Sequence, residues 1–202
     1  MYRNRSLITT RDLATIAILA AIAAVLFMIE IPIVLFYKLD LSSLPVLLGT
    51  FAMGPVHGTL ILLVKSLLGL LHSTSQGVGE LADFLMGFAM LLPAGMVYQM
   101  GKSRKAANLG MLLGTVVATV VAVLTNVYIM IPFYAVAYGM PIDSIVAMGA
   151  GILPVIDGVW DFVLLITAPF NLLKWIVISV ATALVYKPLS PILHGRKKAV
   201  RG

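Results

Sequence analysis

The chain contains no cysteine, which removes disulfides, thiolate metal sites and thiol nucleophiles from consideration. It is also poor in charge: 11% of its 202 residues are Asp, Glu, Lys or Arg, where a soluble domain has about 25%. Its histidines, His57, His72 and His194, lie in separate segments without metal-ligand spacing. No G-x-S-x-G or H-E-x-x-H occurs. "GKS" at 101–103 looks like the end of a phosphate-binding loop, but Met96 stands where that pattern requires glycine, and no strand precedes it. The chain is therefore not expected to hydrolyse ATP, and nothing in it argues for an enzyme.

What is abundant is apolar surface. Hydrophobic residues make up 61% of the chain and its mean hydropathy is +1.07, which indicates an all-α, multi-pass protein of the cell membrane. The start, "MYRNRSLITTRD", runs directly into an apolar stretch without a small-residue cleavage pattern, so no cleavable signal is expected. The net charge of +6 sits in "RNRSLITTR", "GKSRK" and "HGRKKAVR". Each cluster flanks apolar sequence, which favours cytoplasmic anchoring over nucleic-acid binding.

Those clusters constrain the crossings. If the N-terminus, "GKSRK" at 101–105 and the C-terminus are all cytoplasmic, an even number of helices must separate them. Hydropathy alone places three before residue 101. Gly54, Pro55 and Gly58 in "FAMGPVHGTL" break the second block into two short helices and restore parity, although each is shorter than the ~20 residues of an ordinary span. The rival is one long helix kinked at Pro55, which would put "GKSRK" outside. The parity reading predicts a single membrane domain of six helices, at about 12–36, 43–54, 58–71, 79–100, 107–134 and 169–188. Residues 135–168, rich in glycine and containing Pro141, Pro154, Asp143, Asp157 and Asp161, are expected to form an outer cap.

In this topology the embedded polar residues gather at one depth. Asn171 and Lys174 share a helix face in "PFNLLKWIVIS". Asn126 lies near the outer end of helix 5, Glu80 and Asp83 open helix 4, and the first outer loop reads "YKLDLSS". Intramembrane polar groups are costly and face bundle interiors or cavities, so an outward-opening ligand pocket is expected. Plainer roles stand beside this one. Asn126 follows Gly110, Gly114, Ala118 and Ala122 at four-residue steps and is also suited to interhelical packing. Glu80 suits the positive end of its helix, Asp83 suits Lys65 as counter-charge, and Lys174 alone would suit a headgroup.

Four segments, "KLDLSSLPVLLGTFAMGPVHG" (38–58), "GVGELADFLMG" (77–87), "TNVYIMIPFY" (125–134) and "PFNLLKW" (169–175), together resemble the riboflavin-specific S component of energy-coupling factor (ECF) vitamin transporters. The resemblance runs in order over almost the whole chain. It implies six helices, riboflavin as transported ligand and no cofactor. It also implies a separate membrane scaffold subunit (the T component) and two cytoplasmic ATPases in a prokaryotic plasma membrane. On this likeness Asn126, Asn171 and Lys174 hold the flavin ring, Leu39, Asp40 and Leu41 form a lid, and Glu80 belongs to the same outer site. Ala17 and Ala21, or Ala20 and Ala24, correspond to a small-residue face that docks on the scaffold. Asp83 departs from the pattern, which implies an uncharged amide there. The alternatives are an S component for another vitamin or a related flavin, a stand-alone secondary transporter, or a membrane assembly subunit. A secondary transporter would be expected to carry internal repeats, and no convincing one is present.

Overall fold

The structure, a computed structural model, describes residues 9–193, with side chains to residue 186. The terminal basic stretches fall largely outside the described residues, as does His194. The described chain is mostly helical, with one small hairpin and several loops.

Helix α1 (Thr10–Phe27) starts at a reciprocal cap: Thr9 Oγ1 accepts from Asp12 N–H, and the Asp12 carboxylate accepts from Thr9 N–H. It stops well short of residue 36, where hydropathy had carried it. Strands β1 (Ile31–Val34) and β2 (Tyr37–Leu39) follow instead as an antiparallel pair, Ile31 opposite Leu39. Pro32 explains the change: it removes a helical hydrogen bond and pushes Ile31 into the extended region.

Helices α2 (Ser43–Met53) and α3 (Pro55–Leu70) meet at Gly54, whose φ of +102° is open only to glycine. Pro55 then supplies the first turn of α3, where its missing N–H costs nothing. Helix α4 (Val78–Gly101) and helix α5 (Arg104–Thr125) form the tightest pair in the fold. A Cβ on Gly110 would lie 2.7 Å from the Ala94 carbonyl oxygen, and one on Gly114 2.6 Å from that of Met90. The four-residue stripe on α5 therefore serves helix packing. "GKSRK" forms the turn between α4 and α5, where Ser103 caps α5.

The fifth predicted helix and the cap that follows differ most from expectation. Beyond α5 the helix continues through a π-helical turn (Asn126–Met130) into α6 (Ile131–Tyr138). A surface helix α7 (Ile142–Ala150) follows. Then α8 (Val159–Phe162), a second π turn (Val163–Thr167) and α9 (Ala168–Leu193) run on as one helix. The last span thus begins ten residues before 169, inside the stretch read as an outer cap, and passes Pro169 and Pro188. Proline prevents the bond to the carbonyl four residues back and crowds that carbonyl. For Pro132 and Pro169 that residue is Tyr128 or Leu165, the middle of each π turn. Widening the helix there accommodates the ring without ending the helix.

Among the described residues, four helices are long and apolar enough to cross a membrane: Thr10–Phe27, Val78–Gly101, Arg104–Tyr138 and Val159–Tyr186. The apolar helices α2 and α3 are shorter. Their shared core is built on Leu47, Phe51, Ile61, Leu62, Met90 and Trp175.

Candidate functional site

One end of the bundle encloses a cavity of about 350 Å³, within the range of small-molecule sites, roughly 300–1,000 Å³. The hairpin, the start of α4, the first π turn, α7 and the start of α9 all contribute to its wall. Asp40, Glu80, Asn126, Asn171 and Lys174 line it, and each is buried. Leu39 and Leu41 are not among its lining residues, and Leu41 is exposed. From the hairpin and the residue after it the wall takes Phe36, Tyr37, Lys38 and Asp40 instead.

The two amides are held by their own helices. Asn126 Nδ2 donates to the Ala122 carbonyl at 2.8 Å, and Asn171 Nδ2 donates to that of Thr167 at 2.9 Å. Tyr37, on β2, joins them: its hydroxyl donates to Asn126 Oδ1 at 3.0 Å and lies 2.5 Å from Thr167 Oγ1. Burial pushes the Tyr37 phenol upward and keeps it neutral. Tyr37 was missed in the sequence because nothing local distinguishes it from a packing aromatic.

Lys174 is held by two carboxylates. Its Nζ donates to Asp40 Oδ2 at 3.0 Å and to Asp83 Oδ1 at 3.2 Å. Asp83 also accepts from Lys65 Nζ at 2.5 Å, so it serves Lys65, as its position suggested, and Lys174 as well. Burial disfavours the charge on Asp40, but Lys174 beside it, then Lys65 and Ser42, hold its carboxyl below the usual carboxylate range. Glu80 lies in the first turn of α4, accepting from Ser73 Oγ at 2.8 Å and Ser75 Oγ at 3.1 Å. It therefore caps the loop and faces the cavity together.

What these groups leave open defines the chemistry. Among the described residues, Asn171 Oδ1 has no hydrogen bond, and Asn126, Asn171 and Lys174 each have one uncommitted N–H. On these three residues the open set is one acceptor among several donors, and Glu80 Oε1, with both of that carboxylate's hydrogen bonds on Oε2, is a further acceptor on the wall. Phe36, Tyr37, Tyr134 and Phe170 add flat surface, with Phe36 and Tyr134 ring centroids 5.2 Å apart and Tyr37 and Phe170 5.0 Å apart. The arrangement suits a planar ligand whose edge has a donor flanked by acceptors.

Comparison with known proteins points the same way. Residues 11–186 match the family described as "ECF transporter, substrate-specific component". The riboflavin transporter RibU of Staphylococcus aureus (strain TCH60) is 34% identical, over 95% of this chain and 96% of its own length. RibU of Streptococcus thermophilus (strain ATCC BAA-250 / LMG 18311) is 33% identical, over 96% and 89%. The riboflavin transporter FmnP of Bacillus subtilis (strain 168) is 26% identical, over 94% and 97%. A solved structure, described as "Structure and mechanism of the S component of a bacterial ECF transporter", superposes with a TM-score of 0.72 at 34% identity. It covers 92% of this chain and 98% of its own.

Proposed function

The chain belongs to the family of ECF transporter substrate-specific components, and from that premise we propose that it is the riboflavin-binding membrane subunit of such an importer. The observation that carries the choice of ligand is the open hydrogen-bond set. The isoalloxazine edge presents an imide N–H between two carbonyls. Asn171 Oδ1 is the acceptor for that N–H, while the free N–H groups of Asn126, Asn171 and Lys174 serve the carbonyls and ring nitrogens. The aromatic side chains lie against the faces of the ring. Glu80 and Asp40 complete the wall, the former toward the ribityl hydroxyls. A pocket so fitted rejects analogues that leave its buried polar groups unpaired.

In this reading, a membrane scaffold subunit and two cytoplasmic ATPases supply the energy. Six helices cross the membrane, both termini are cytoplasmic and the cavity opens outward. Residues of the three segments that the six-helix topology puts outside (37–43, 72–78 and 135–168), Lys38, Ser75 and Met148 among them, line that cavity, which supports the orientation. Ala17 and Ala21 form the docking face: both are exposed on α1, as is Ala14. The alternative pair is set aside, because Ala20 is fully buried within the protein's own core.

Protein purified from riboflavin-rich medium should be yellow, and the emptied protein should quench riboflavin fluorescence at one equivalent. Absence of quenching at micromolar protein would rule the ligand out. For orientation, single cysteines at Ser75 and Ser103 are treated with an impermeant thiol reagent on intact cells. Ser75→Cys should react and Ser103→Cys should not; the opposite pattern refutes the arrangement.

A further inference from the structure

The buried charged side chains among the described residues are Asp40, Lys65, Glu80, Asp83 and Lys174, and all but Lys65 line the cavity. Lys65 lies mid-way along α3, 0% exposed. Its Nζ meets Asp83 Oδ2 at 2.5 Å and the Phe27 ring at 4.7 Å from the centroid. It heads a continuous chain: Lys65 to Asp83, Asp83 to Lys174, and Lys174 to Asp40, whose other oxygen accepts from Ser42 N–H at 2.8 Å. Two ammonium groups and two carboxylates cancel, as an interior of low dielectric requires.

Lys65 decides how tightly Asp83 competes for Lys174. With Lys65 behind it, Asp83 already has a counter-ion and accepts from Lys174 on its other oxygen only, at 3.2 Å. Without Lys65, Asp40 and Asp83 would face a single ammonium, and both would draw it into the wall. The N–H left for a ligand would then turn away. We propose that Lys65 is a positioning residue for the vitamin site: it neutralises Asp83 from outside the cavity, so that Lys174 is oriented but not captured. This rests on the reading that Lys174 contacts the flavin.

The test titrates riboflavin against the full chain by fluorescence quenching. It compares wild type, Lys65→Met, the double variant Lys65→Met/Asp83→Asn, and Lys174→Ala. Lys65→Met should lose about tenfold or more in affinity. Adding Asp83→Asn restores neutrality and keeps an acceptor for Lys174, so the double variant should regain most of that loss despite its second change. Mere packing by Lys65 predicts no such rescue. Wild-type affinity in Lys65→Met, or a double variant no better than the single one, overturns the inference. Should Lys65→Met fail to fold, the double variant decides: tight binding supports the inference and weak binding overturns it. Wild-type affinity in Lys174→Ala would instead remove the site reading, and the inference with it.

Discussion

With Ala17 and Ala21 replaced by tryptophan, riboflavin should still bind, but the proposed scaffold should no longer co-purify and cells should no longer take up the vitamin. Helix association in lipid depends on close packing, since lipid tails are as apolar as the side chains they touch. Dispersion contacts weaken steeply with a gap of even an ångström, and a pair of indole rings would hold a partner helix several ångströms away. Ala17 and Ala21 are exposed, while Ala20 and Ala23, fully buried, carry the packing of α1 onto this protein's own bundle. The residue of α1 that reaches the cavity is Phe27, about 9 Å further along the axis than Ala21 at the usual helical rise. On the proposed reading, binding and coupling should therefore be separable on one helix. The measurements are flavin quenching, co-purification and uptake by intact cells. Loss of binding would mean that the stripe is internal packing, and surviving uptake would move the docking face elsewhere.

Truncating the polar side chains of the site should produce the second large effect, with a definite order. Asn171→Ala removes one acceptor and one donor and should cost roughly 1–3 kcal/mol, about tenfold to a hundredfold in affinity. Lys174→Ala should cost more, and should lower stability as well. It leaves Asp40 without its directly bonded cation, whereas Asp83 keeps Lys65. Breaking a buried pair in this way typically costs about 3–5 kcal/mol. Adding Asp40→Asn to Lys174→Ala should return much of the stability without returning the affinity. Quenching titrations and thermal unfolding in detergent read the two quantities apart. Equal melting temperatures for wild type and Lys174→Ala would show that the ion pair does not support the fold, and unchanged affinity in both single variants would remove the pair from the site.

Composition alone determined the class of this protein. Low charge and high hydropathy leave no soluble solution, and the Gly54–Pro55 break is legible because only glycine reaches that backbone angle. Asn126, Asn171 and Lys174 stood out for a similarly local reason: polar groups in apolar sequence need a partner or a cavity. What lay beyond the sequence was where helices end and whom each charge meets. Averaged hydropathy scores the hairpin Ile31–Leu39 and the stretch from Val159 as readily one way as another. Proline's effect on a helix depends on its setting: Pro32 gives way to a strand, while Pro132 and Pro169 are absorbed by π turns. The tie of Asp40 to Lys174 joins residues 134 apart, and that of Asp83 to Lys174 joins residues 91 apart. Lys65 had one foreseeable partner, but the link onward through Asp83 to the site did not follow from any spacing in the sequence. Such pairings are chosen by which buried charges come within hydrogen-bond distance once the helices have packed, and only the tertiary structure decides that.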